Sequence, residues 1–203
     1  MKKTKKERRI EVIKDALLQL KRESLIASPG VVCSIDELAQ DTDKFDKELT
    51  DKYLLDLDLQ KFLKTKLKTK KHVCNVCARG ALLISTIHKE NTFSALDLVS
   101  VGGSYDEDSV TDQRLSKLFS GQQLALMETA FEVEDTLEDQ RNYEEHGDEF
   151  GDDQKVLYAL NSALFKHTLV IKAVDFGMKY ENPQERLIAI FKNMIKNEGI
   201  FKP

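Results

Sequence analysis

The chain has 203 residues and no tryptophan, with only three prolines, nine glycines, three cysteines and four histidines. So few turn-forming residues argue against a many-turned β-sandwich and leave helices as the economical way to bury the apolar residues. An odd number of cysteines excludes a self-contained disulfide framework and fits a reducing compartment. No stretch approaches the roughly 20 consecutive apolar residues that a membrane span needs. The opening MKKTKKERR is followed by IEVIKDALLQLKRE, which is charged throughout and offers neither an apolar signal core nor a small-residue cleavage site. The expectation is a soluble, cytoplasmic protein. Phosphate-binding glycine loops, GxSxG and HExxH are all missing, so catalysis is disfavoured. Glu144, Glu145 and His146 are adjacent, but they lie in a polar stretch without rigid support.

Hydrophobic residues make up 41% and charged residues 33%, with a net charge of −4. That is a globular composition, and the charge is too mild to name a partner. Ile10, Ile13, Leu17 and Leu20 recur at helical spacing and predict an amphipathic helix over 4–24, broken by Ser28-Pro29-Gly30. Ser34 and Glu37 stand in capping-box register before a brief helix. A helix over 53–70 is marked by Leu59, Leu63 and Leu67, and another is expected over 74–88. Leu115, Leu118 and Phe119 belong to a helix from Ser109. Ser120 and Gln123 then form a capping box for Leu124, Met127 and Phe131. Val156, Leu157, Leu160 and Leu164 mark a helix from about Asp153. Asn182, Pro183 and Glu185 open the last helix, with Leu187, Ile190, Phe191 and Met194 as its apolar stripe and Gly199 as its stop. The fold expected is all-α, or mainly α: one irregular helical bundle over 1–203. It leaves room for one or two short strands, near 31–33 and 168–176, the latter because HTLVIKAVDF is β-branched. An acidic insertion over 132–153 is expected to be mobile.

The segment KHVCNVCARGALLISTIHKEN raises a question of chemistry. Thiolate and imidazole are ligands that zinc prefers, so His72, Cys74 and Cys77 form a candidate metal set, with zinc the only cofactor considered. Cys33 is a distant fourth. If 74–88 is one helix, His88 lies eleven residues beyond Cys77, about 16 Å along the axis, and cannot join them. A second close ligand pair is lacking. A redox dithiol would need a strand before the motif, and a lysine-rich helix stands there instead. The plainer reading makes Cys74, Cys77, Ala78, Ala81 and Ser85 a stripe of small buried side chains beside Gly80 on a central helix.

Charge is distributed unevenly. Eleven acidic residues fall between 132 and 153 against one arginine, Arg141. Glu134, Asp135, Glu138, Asp139, Glu144, Glu145, Asp148 and Glu149 are therefore candidates for docking on a basic partner, although a solvated loop is the simpler reading. Lys61, Lys64, Lys68 and Lys71 gather on one side of a helical wheel and could contact phosphates of DNA or RNA. With Phe62 the only aromatic near them, a stacking platform for single strands is not expected. A solvated helix face is the default there too.

Three segments carry a resemblance: CNVCARGALLIS (74–85), FSGQQLALMETAFE (119–132) and ERLIAIFKNMIKNEGIFKP (185–203). In that order they resemble a group of proteins encoded in bacteriophages and in integrated elements of bacterial genomes. The three cover about a fifth of the chain, and the acidic insertion lies outside the shared pattern. No activity or functional residue comes with the resemblance. It implies a setting, in which small accessory proteins act on a host protein or ribonucleoprotein complex, antiviral defence included. The resulting expectation is a binding protein whose specificity lies in charged surfaces, with zinc or thiol chemistry and direct nucleic-acid binding as alternatives.

Overall fold

A computed structural model of the chain describes residues 3–30, 33–34, 59–69, 73–90, 115–134, 136–138, 141 and 167–203. The described elements are mainly helical. They run α1 (Lys5–Lys21), β1 (Leu25–Ala27), β2 (Cys33–Ser34), α2 (Leu59–Thr69), β3 (Cys74–Val76), α3 (Ala78–Glu90), α4 (Gly121–Phe131), α5 (Thr168–Gly177) and α6 (Pro183–Lys196). Expectations for 35–58, 91–114 and 142–166 lie outside these residues.

Helix α1 begins as its sequence requires. The Thr4 hydroxyl accepts from the Glu7 amide, and the Glu7 carboxylate accepts from the Thr4 amide, a complete capping box. Its buried face is rotated from the expected one, since Asp15 and Gln19 lie inward beside Val12, Ile13, Ala16 and Leu20. Helix α6 is opened by the Asn182 carbonyl, which accepts from the amides of Gln184 and Glu185, and Leu187, Ile190, Phe191 and Met194 are all buried as their spacing predicts.

The centre of the core is α3. Nearly every residue from Ala78 to His88 is buried, and the helix packs against α1, α2 and α4. A helix apolar on all sides belongs inside, and this one does. Its start corrects the expectation of one helix over 74–88. Cys74–Val76 is the middle strand of a three-stranded sheet, with β1 parallel to it (Leu25 opposite Cys74) and β2 antiparallel to it (Cys33 opposite Val76). The helix begins only at Ala78, so Gly80 lies in its first turn rather than its interior.

A second correction concerns 168–176, which is helix α5 and not a strand. Only Ala173 and Gly177 of that helix are fully buried, four residues apart on one face. They let α5 lie close on α4: a Cβ at Gly177 would stand 2.2 Å from the Ala130 carbonyl oxygen. Tertiary contact of this kind overrides the β-branched propensity of Val170, Ile171 and Val174. The C-terminal tail folds back, with Phe201 buried edge-on against Phe176. No described helix is long and apolar enough to cross a membrane.

Candidate functional site

Cys74 lies in β3 and Cys77 just before α3, and both are buried. The placement therefore has a strand-to-helix order, contrary to the expectation drawn from the lysine-rich helix before it. Cys77 caps α3 in the manner of a serine, its Sγ accepting from the Gly80 amide at 3.5 Å. Burial dominates that thiol and pushes its pKa up to about 12, since a thiolate there would lose its hydration. A thiol held in that form is a poor nucleophile and a poor metal ligand. His72 lies outside the described residues, and among the described residues no three metal-ligating side chains gather.

His88 is placed at the far end of α3, away from the cysteines, and its Nδ1 lies 2.9 Å from Asp15 Oδ2 on α1. Lys89 Nζ stands 2.9 Å from the other Asp15 oxygen. The Asp15 side chain is 2% exposed, so its charge depends on these two partners. Burial alone would raise its pKa, but the hydrogen bonds from His88 and Lys89 together hold it below the ordinary carboxylate range. Arg8 completes the seam by donating through Nε and Nη2 to both oxygens of Glu90. These pairs clamp α1 onto α3. The sequence marked Asp15 only as part of a charged face, and nothing in its helical spacing singled it out.

A second buried charge, Arg186, is also structural. Its guanidinium donates to the Phe131 carbonyl at 2.7 Å, to the Tyr180 carbonyl at 3.0 Å and to both oxygens of Glu134. The Arg186 bond lowers the Glu134 pKa. Of the acidic docking candidates, then, Glu134 is tied to the core, although its side chain stays 62% exposed. Glu138 is exposed. Asp135, Asp139, Glu144, Glu145, Asp148 and Glu149 lie outside the described residues.

Residues from the three quoted segments meet one another in space. Arg79 pairs with Glu128 at 2.6 Å. Gln123 Oε1 accepts from the Phe201 amide at 2.6 Å, so this side chain closes the tail onto α4 rather than completing a capping box with Ser120. Arg186 holds the end of α4. Arg79, Gln123, Glu128 and Arg186 of those segments are thus spent on holding the fold together.

The lysine helix is different. Leu63 and Leu67 of α2 are buried against α3, and Ser24 Oγ donates to the Leu67 carbonyl. Lys61, Lys64 and Lys68 all lie on the exposed side, as the wheel predicts, together with Thr65 and Thr69. Lys71 lies outside the described residues. Helix α2 carries no acidic residue of its own, and among the described residues Lys64 and Lys68 have no ion-pair partner. Lys68, in the last turn, also complements the helix dipole. Lys66 sits over the Phe62 ring at 5.4 Å, so that aromatic face is covered.

No protein-family model matches the chain, and no curated protein or solved structure matches it either.

Proposed function

We propose that this is a phage-related accessory protein that binds a host nucleoprotein complex through its charged surfaces and catalyses nothing. Inhibition of a nucleic-acid-guided defence nuclease is one concrete form of that role. The observation that supports the reading is a division of labour among polar groups. Asp15, His88, Arg8, Arg79, Glu128 and Arg186 are committed to internal pairs, whereas Lys64 and Lys68 face outward on a helix that has no acidic residue. Exposed charge of one sign steers encounter with a partner of the other sign and selects among partners. The test is capture by the tagged protein from host lysate at physiological salt, with the recovered subunits identified by mass spectrometry. A stoichiometric nucleic-acid-processing complex is the expected result, and recovery of none overturns the reading.

One observation favours a thiol- or zinc-dependent role: strand β3 runs through Cys74 into the start of α3. The burial of Cys77 weighs against it. Metal analysis of the purified protein together with thiol titration decides between the two. Stoichiometric zinc, or a fast-reacting Cys77, would replace the accessory role.

A further inference from the structure

We infer that the exposed face of α2 seats on the sugar–phosphate backbone of double-stranded DNA, anchored by Lys64 and Lys68 and without reading base sequence. The inference rests on the accessory reading and says which component of the complex this helix would touch.

Four features of α2 lead there. First, Lys64 and Lys68 stand four residues apart, about 6 Å along the axis, on the solvent side. Each is a flexible point charge suited to phosphate oxygen. Second, α2 has no arginine and no asparagine, and its one glutamine, Gln60, donates to the His88 carbonyl at 3.2 Å. The bidentate groups that read base edges are therefore missing from the exposed face. Third, Phe62 is half-buried beneath Lys66, so no open ring is offered for an unpaired base to stack on. Single-strand binders depend on such stacking, whereas a duplex offers its phosphates at the higher density of about one charge per 1.7 Å of axis.

Fourth, the exposed hydroxyls are turned back on the helix. Thr65 Oγ1 donates to the Lys61 carbonyl at 3.0 Å and Thr69 Oγ1 to the Thr65 carbonyl at 2.9 Å. Neither of these two hydroxyls is left to donate to the 2′-hydroxyl that distinguishes RNA, so this face gains nothing from an RNA duplex over a DNA duplex. Duplex DNA is the partner these features share. Helix α1 also exposes Lys5, Lys14 and Lys21, but it interleaves them with Glu7 and Glu11, and its Lys6 and Arg8 pair with Glu198 and Glu90.

The experiment uses the full-length protein and fluorescence anisotropy with three labelled probes: a random-sequence 20-base-pair DNA duplex, one of its single strands, and an RNA duplex of the same length. Salt is varied from about 50 to 200 mM, a range over which two phosphate contacts alone weaken binding about 12-fold. The DNA duplex should bind more tightly than the single strand and at least as tightly as the RNA duplex. The variant Lys64→Gln/Lys68→Gln should flatten the slope of log affinity against log salt by about 1.8, since each contact contributes about 0.9. Lys3→Gln should leave that slope unchanged. Equal or tighter binding of the single strand, or tighter binding of the RNA duplex, overturns the inference, as does an unaltered slope in the double variant or no DNA binding at 50 mM salt. A protein that binds no DNA yet still captures its complex loses this inference alone. One that binds DNA through α2 yet captures no complex loses the accessory reading alone.

Discussion

Helices α1 and α2 are both lysine-rich and both lie against α3, yet they use their charge in opposite ways. Helix α1 carries six basic and three acidic residues, and the charges that face other elements are matched, Lys6 with Glu198, Arg8 with Glu90, and Asp15 with His88 and Lys89, while Lys5, Lys14 and Lys21 stay exposed. Helix α2 carries four lysines and no acid, and its outward lysines Lys64 and Lys68 lack ion-pair partners among the described residues. The difference follows from what each helix faces. Helix α1 buries a carboxylate, which must be compensated, whereas the fully buried residues described in α2 are Leu63 and Leu67, and Lys61, Lys64 and Lys68 are exposed to water. A charged helix is thus a fastener in one place and an available surface in the other.

The largest effect expected from that contrast is at Asp15. Asp15→Asn leaves His88 and Lys89 without their carboxylate and should cost about 3–5 kcal/mol in urea unfolding, the usual range for breaking a buried pair. A loss below about 1 kcal/mol would mean that α1 is not fastened in this way.

Acid should act next, through the same carboxylate. Because the folded-state pKa of Asp15 is lowered, its contribution is fully present above the ordinary carboxylate value of about 4 and is lost as pH falls through the folded value. Melting temperatures of the parent and the Asp15→Asn variant should therefore converge below about pH 4. Parallel curves down to pH 2.5 would contradict the assignment. Arg8→Ala removes a part-buried pair and should cost about 1 kcal/mol, measured in the same way.

The smallest effect belongs to α2. Lys64→Gln and Lys68→Gln should each change stability by less than about 0.5 kcal/mol, the usual limit for a surface site. Destabilisation of 1 kcal/mol or more by either would place these lysines among the fasteners and erase the contrast between the helices.

Helix positions were legible wherever apolar spacing and caps agreed. Ser120 and Asn182 cap their helices as expected, and the stripe of α6 is buried residue for residue. The lysine face of α2 was legible for the same reason, since eleven residues of one period leave only one way to turn the leucines inward. The misreadings fell where local preference met tertiary demand. Helix α5 overrides its β-branched residues because Ala173 and Gly177 let it approach α4 closely. Cys74–Val76 reads as helix by its small side chains, yet it becomes a strand because β1 and β2 supply hydrogen-bonding partners from distant parts of the chain. Gln123 resembled a capping partner and is spent instead on Phe201, 78 residues away.

Taken alone, the sequence determined a mainly helical protein, the interior position of the 74–88 segment and the outward face of the α2 lysines, because each follows from periodicity along a short stretch. Tertiary structure alone decided which charges are spent. Asp15 meets His88 across 73 residues and Arg186 meets Glu134 across 52. Helical periodicity orders residues along one element and carries no information about a counter-charge on another. Whether a lysine or a carboxylate is occupied is therefore settled only when the elements come together.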